Sequence, residues 1–147
     1  GVFDRAKRFR VPCLWMDKNS FESDVVLDFF LTEQPDLIVL AGFLWKIPAS
    51  LVQTFPNKII NIHPALLPKF GGKGMYGAHV HRAVKESGDT NTGITIHYVN
   101  EYYDEGGFIF QAQVEVVPAD TADTIAQKVH QLEHKHFPVI IEQLLTQ

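Results

Sequence analysis

Apolar and polar positions change their period several times along the chain, and each change marks an expected element. Residues 1–10 read as the tail of a surface helix, and residues 11–15 as a short strand candidate weakened by Pro12. Asn19 followed by Glu22 resembles a capping box for a helix over residues 21–32, where Phe21, Val25 and Phe29, with Val26 and Phe30, recur at helical spacing. Pro35 closes that stretch. Leu37-Ile38-Val39-Leu40-Ala41 is a near-continuous apolar run, the pattern of a strand buried on both faces. Gly42-Phe43 turns the chain, Pro48 suits a first helical position, residues 49–55 make a short helix, and residues 58–62 form the next buried strand. Strand, helix and strand with short connections predict a right-handed βαβ unit.

After His63 the pattern dissolves into a long loop punctuated by Pro64, Pro68, Gly71, Gly72, Gly74 and Gly77. A loop of that length is usually functional or mobile. Helical spacing returns over residues 76–86, and Asn91-Thr92-Gly93 reads as a turn. Residues 93–99 then alternate, with Ile94, Ile96 and Tyr98 on one face and Thr95, His97 and Val99 on the other. A polar loop over residues 100–107 leads to a last strand over 108–117. Asp120 is the expected N-cap of the final helix, with Asp123 in its first turn and Ile125, Val129, Leu132 and His136 on its buried face. Pro138 is expected to kink or end that helix. The elements predict an α/β fold with a mainly parallel sheet flanked by helices. Residues 1–147 carry no repeat, low-complexity tract or linker and read as a single domain. Because the chain opens on Gly1 inside a helix tail, an N-terminal segment is expected to precede it.

Composition narrows the function classes. Thirteen Lys and Arg against seventeen Asp and Glu give a net charge of −4, which disfavours a nucleic-acid partner. The one local excess of positive charge, Arg5, Lys7, Arg8 and Arg10, reads as a solvated helix face. Cys13 is the only cysteine, so neither a disulfide framework nor a Cys-based metal site is expected. No apolar run approaches the roughly 18 residues of a membrane span, and no signal peptide is recognisable. A cytoplasmic protein with small-molecule ligands, monomeric or homodimeric, is the expectation.

Candidate chemistry centres on the end of the second buried strand. Asn61 and His63 lie two residues apart, so they project from the same face where the strand stops at Pro64. Asp104, before Gly106 and Gly107, sits on a tight turn where backbone can approach a ligand. Together these groups suit acyl transfer to an amine: an amide donor for the developing oxyanion, an imidazole to move the amine's proton, and a carboxylate to orient that imidazole. No Ser or Cys stands in a nucleophile motif, so direct transfer is favoured over a covalent intermediate. His130-Gln131-Leu132-Glu133-His134 fits a short zinc-protease pattern, but no strong further ligand follows, and no metal is expected. His79 and His81 give a weaker metal hint and read as surface histidines.

Asn61-Ile62-His63-Pro64-Ala65-Leu66-Leu67-Pro68 closely resembles the signature of the 10-formyltetrahydrofolate-dependent formyltransferases. Leu40-Ala41-Gly42-Phe43 is similar to the segment preceding that family's folate pocket, and residues 93–107 match a third block. The resemblance runs in register over about residues 35–138. It implies a Rossmann-like formyltransferase fold with Asn61, His63 and Asp104 as the catalytic trio. It also implies a folate pocket at Leu44, Trp45, Ile47, Val52, Val99, Asn100 and Glu101. Pro64, Ala65 and Glu133 would meet the second substrate, and His97 would support the trio from behind. Within the family it points to the branch that moves the formyl group of 10-formyltetrahydrofolate to the amine of glycinamide ribonucleotide in purine biosynthesis. A formyltetrahydrofolate hydrolase and a non-catalytic folate-binding fragment are the alternatives.

Overall fold

In the computed structural model, which describes residues 1–146, two compact units succeed each other, Gly1–Glu33 and Gln34–Gln147. The first holds α1 (Val2–Phe9), α2 (Lys18–Phe21) and α3 (Asp24–Glu33). No residue of α1 is buried, and Arg5, Lys7 and Arg8 on it are exposed, as is Arg10 just beyond its end, so they do form a solvated face. The helix expected over 21–32 is divided in two, and the reason is local. Asp17, rather than Asn19, caps α2 by accepting from the Ser20 N–H at 2.8 Å. Ser23 Oγ then donates to the Ser20 carbonyl at 2.7 Å and accepts from the Val25 N–H. Such side-chain bonds offer the backbone an alternative to the helical ladder. Val26 is buried, while Val25 and Phe29 are exposed. Residues 11–15 form no strand and are exposed; no described strand offers them a ladder.

The second unit is a four-stranded sheet with helices. Its elements are β1 (Ile38–Leu40), α4 (Ala49–Thr54), β2 (Ile59–His63), α5 (Ala78–Ser87), β3 (Asn91–Tyr98), β4 (Phe108–Glu115) and α6 (Ala122–Leu145). Strand order follows the chain, β1-β2-β3-β4. The βαβ unit expected at β1-α4-β2 is present, with Val39 opposite Ile60 in a parallel pair. The expectation of a mainly parallel sheet is corrected here, because β2–β3 and β3–β4 are both antiparallel. Residues 99–107, between β3 and β4, are fewer than the dozen or so a parallel crossover requires. Nor is β1 buried on both faces: it lies at the edge of the described sheet, and Val39 is 38% exposed. Asn91, Thr92 and Gly93, expected as a turn, open β3 instead. A Cβ on Gly93 would collide with the Ala112 carbonyl across the ladder, so the glycine serves close strand approach rather than a turn.

Alternation sorts the sheet's faces. Ile60 and Ile62 of β2 pack with Ile94 and Ile96 of β3, Val80 and Val84 of α5, and Ile125, Val129, Phe137 and Ile140 of α6 in one buried cluster. Leu132 is partly buried there. α6 is capped by Thr121, one residue beyond the expected Asp120. Asp120 anchors the preceding turn instead. Its carboxylate accepts from Lys128 and from the Val117 N–H, and the Lys128 and Val117 bonds hold its pKa down to about 2. α6 also continues through Pro138. A mid-helix proline costs about 3 kcal/mol, yet Phe137 and Ile140 are buried on either side of it. Burying a large apolar side chain contributes about 1.5–3 kcal/mol, so packing carries the helix past the break.

Candidate active site

β2 brings the polar pair to the sheet's other face. Opposite Asn61 across the β2–β3 ladder stands His97, and opposite His63 stands Thr95. With side chains alternating along each strand, these four share the face that the isoleucines leave. His63, Thr95 and His97 are buried, and Asn61 is half-buried.

Asp104 arrives from the β3–β4 connection. Its backbone is left-handed, at φ 58°, a conformation that Asp tolerates better than most residues. Two residues on, Gly106 lies against the Tyr98 carbonyl where no Cβ fits, which docks this turn on the end of β3. The carboxylate then sits between two imidazoles. Oδ2 is 3.5 Å from His63 Nδ1, and Oδ1 is 3.5 Å from His97 Nε2. The Gly72 N–H donates to Oδ2 at 2.9 Å. Burial pushes the Asp104 carboxyl up, but the His97 and His63 rings and the Gly72 N–H outweigh it, and its pKa falls below the usual carboxylate value.

The two rings have distinct proton assignments. His63 Nε2 lies 2.8 Å from the Phe70 carbonyl, an acceptor only, so Nε2 carries a proton. Nδ1, facing Asp104, is therefore the nitrogen that gains or loses one. Burial holds His63 below the ordinary imidazole range, against the opposing pull of Asp104 and the Phe70 carbonyl. His97 Nδ1 is 2.8 Å from the Tyr98 carbonyl and carries a proton; Nε2 lies between Asp104 Oδ1 and Asn61 Nδ2, and in the neutral ring it accepts from Asn61 Nδ2 at 3.2 Å.

These groups open on a cleft of about 690 Å³. Of the residues expected to hold folate, Leu44, Trp45, Ile47, Val99 and Asn100 line it. Val52 does not; it is half-buried on α4. Glu101 does not either, and its carboxylate instead accepts from Gln53 Nε2 at 2.8 Å. Of the second set, Pro64 and Glu133 line the cleft. Ala65 is fully buried, with its carbonyl bonded to Thr95 Oγ1. Burial pushes the Glu133 carboxyl up, partly offset by His130 and His134.

His81 departs from the sequence reading. It is 3% exposed rather than a surface residue, and it lines the cleft edge-on to His130, with ring centroids 6.3 Å apart. Its Nδ1 has no hydrogen-bond partner among the described residues. Burial, then the charges of His130 and His63, hold it below the ordinary imidazole range. The signal was present in sequence: Val80 and Val84, four residues apart, mark the buried stripe of α5, and His81 precedes Val84 by one short turn. His79, by contrast, is exposed. Among the described residues no group of three His, Cys, Asp or Glu side chains is placed to hold a metal ion, and no helix is long and apolar enough to cross a membrane.

Comparison with known proteins places this geometry in context. Residues 2–141 match the family model described as formyl transferase. The chain is 52% identical over 140 residues to a chloroplastic phosphoribosylglycinamide formyltransferase of Arabidopsis thaliana, covering 95% of this chain and 46% of that protein. It is 40% identical to the phosphoribosylglycinamide formyltransferase of Bacillus subtilis strain 168, covering 98% of this chain and 74% of that one. The chain thus spans about half the length of the plant relative. Among solved structures, phosphoribosylglycinamide formyltransferase from Streptococcus pneumoniae superposes with a TM-score of 0.86 at 30% identity, over 98% of this chain and 80% of that one. The Bacillus halodurans enzyme gives 0.87 at 31% identity, over 99% and 75%.

Proposed function

The chain belongs to the formyl transferase family, and on that premise we propose that it transfers the formyl group of 10-formyltetrahydrofolate to the amine of glycinamide ribonucleotide in purine biosynthesis. Relatives of that name support the reading, and so does the family match across residues 2–141, which favours treating residues 1–147 as one formyltransferase domain. The observation that carries it is the Asn61–His97–Asp104–His63 cluster at the wall of a cleft of about 690 Å³.

In the proposed reaction the amine nitrogen attacks the formyl carbon. Asn61 has a second amide N–H beyond the one bonded to His97, and it donates to the oxygen as that atom becomes negative. Neutral His63 takes the amine's proton at Nδ1, the one ring nitrogen free to accept it. The resulting imidazolium is held by Asp104. The carbon–nitrogen bond to folate then breaks, and the departing nitrogen takes up that proton, which leaves tetrahydrofolate and the formylated amide. The apolar wall at Leu44, Trp45 and Ile47 suits the flat pterin, with Val99 and Asn100 beside it, and Pro64 and Glu133 would meet the ribonucleotide. The substrates are small molecules of the cytoplasm, and the enzyme acts there as a monomer or homodimer.

The test is a formyl-transfer assay with both substrates. Asn61→Ala, His63→Ala and Asp104→Ala are each expected to fold and to lose most turnover; full activity in any one removes that residue from the mechanism. Formate release without the amine would favour the hydrolase reading, and folate binding without turnover the non-catalytic one.

A further inference from the structure

The connection after β2, residues 64–77, contains no helix or strand, yet its backbone makes two of the bonds that define the site. The Phe70 carbonyl fixes the protonated nitrogen of His63, and the Gly72 N–H holds Asp104. Something must hold this loop in register. Thr95, fully buried on β3 opposite His63, donates its hydroxyl proton to the Ala65 carbonyl at 2.7 Å. The same oxygen accepts from the Leu67 N–H at 3.0 Å and from Gln111 Nε2 at 2.9 Å. A hydroxyl has one donor and two acceptor positions, so all three are used. Gln111 lies opposite Thr95 on β4, and its amide also donates to the Leu67 carbonyl at 3.0 Å. His63, Thr95 and Gln111 thus stand in one row across three strands.

We propose that Thr95 and Gln111 are positioning residues for the formyl transfer: they clamp Ala65 and Leu67, and through the loop they set the tautomer of His63 and the placement of Asp104. Neither residue touches the reacting atoms. Three residues after Leu67 comes Phe70, whose carbonyl makes Nδ1 rather than Nε2 the basic nitrogen. If the clamp opens, that carbonyl withdraws, both tautomers form, and part of the population presents the wrong nitrogen. Opening also wets the ring. Since burial is the main cause that lowers the His63 pKa, its titration moves upward.

The proposal rests on the formyl-transfer reading for its kinetic half only. Thr95→Val keeps the side chain's shape and removes the hydroxyl. It is expected to lower kcat by about 100-fold, the scale of a 1 Å misplacement, with KM for the folate within a few-fold. Thr95→Ser restores the hydroxyl and is expected to recover most of the loss. Gln111→Met, at an exposed position that does not put folding at risk, is expected to give a smaller loss of the same kind, and it decides the matter if Thr95→Val does not fold. Nitrogen chemical shifts of the His63 ring supply a readout that needs no substrate. The wild type shows a proton at Nε2, and the Val and Met variants show mixed tautomers with a higher titration midpoint. A folded Thr95→Val or Gln111→Met whose His63 tautomer and titration match the wild type overturns the clamp, as does a Ser variant no better than Val. If the wild type transfers no formyl group, the functional reading fails while the ring measurement still decides the clamp.

Discussion

Asn61 and His97 are bonded across the β2–β3 ladder, Nδ2 to Nε2 at 3.2 Å, in a direction dictated by the Tyr98 carbonyl on the ring's other nitrogen. One amide N–H of Asn61 is thereby committed to the protein and the other is left for a ligand. Losing an oxyanion donor typically costs about 100- to 1,000-fold in kcat, and Asn61→Ala is expected to show a loss of that size. His97→Ala frees the amide to rotate and is expected to cost about tenfold. The two losses should not add, because contacting residues couple. In a double-mutant cycle on kcat the double variant is expected to be close to Asn61→Ala alone; strict additivity would show that His97 does not act through Asn61.

How much of this was legible in the sequence depends on which physical signal each residue carries. Period-two alternation put Asn61 and His63 on one face, and the apolar run before them gave β2, because both are local. Asp104 lies some forty residues downstream, and no local pattern joins it to His63; its turn before Gly106 and Gly107 made it a candidate third partner, and the family resemblance implies the same role. Strand direction was partly readable, since the β3–β4 connection is too short for a crossover, but Val39 gave no sign that β1 lies at an edge. His81 was misread because a polar residue beside a buried stripe looks exposed unless the stripe's flank is itself covered. The contacts of Thr95 and Gln111 with the loop are invisible to any pattern, being side-chain bonds to irregular backbone.

Two buried imidazoles predict how stability varies with pH. His63 and His81 are both held below the ordinary value of 6.5, chiefly by burial. Between that value and their folded-state values, the unfolded chain binds more protons than the folded one. Stability therefore rises with pH through this window, is complete above about 6.5–7, and is lost as pH falls. Asp104, lowered in the fold, adds a separate loss only as pH drops through the carboxylate range. Urea unfolding at a series of pH values from 7.5 to 5 is the measurement, and His81→Gln should flatten the slope. An unchanged slope would mean that His81 takes up its proton as readily folded as unfolded.

Two glycines in tight backbone contact separate stability from catalysis. A Cβ at Gly93 would strike the Ala112 carbonyl, and one at Gly106 the Tyr98 carbonyl. Forced overlap of this kind costs about 1–3 kcal/mol, so Gly93→Ala and Gly106→Ala are both expected to lower the melting temperature by several degrees. Only Gly106 docks the turn that carries Asp104. Assayed well below either melting temperature, Gly106→Ala should lose at least tenfold in kcat, and Gly93→Ala should keep wild-type turnover. Equal losses in both would point to general loosening of the sheet rather than to the placement of Asp104.

Glu133 offers a prediction about binding rather than chemistry. It lines the cleft from α6, well removed in sequence from the trio, with its carboxylate 3.9 Å from His130 Nε2 and its side chain 27% exposed. Burial pushes the carboxyl up, so this position has lost part of its hydration before any ligand arrives. A hydroxyl-bearing substrate that donates to it replaces that hydration. A hydrogen bond to a charged group is worth about 1.5–3 kcal/mol, or roughly 10- to 150-fold in affinity. Glu133→Ala is therefore expected to raise KM for glycinamide ribonucleotide by that range, with KM for the folate and kcat little changed. Glu133→Gln keeps an acceptor without the charge and should fall between. The amine substrate is the sensitive one on the proposed division of the cleft, in which Glu133 meets the ribonucleotide and Leu44, Trp45 and Ile47 meet the pterin. A rise confined to the folate KM would reverse the two halves of the cleft.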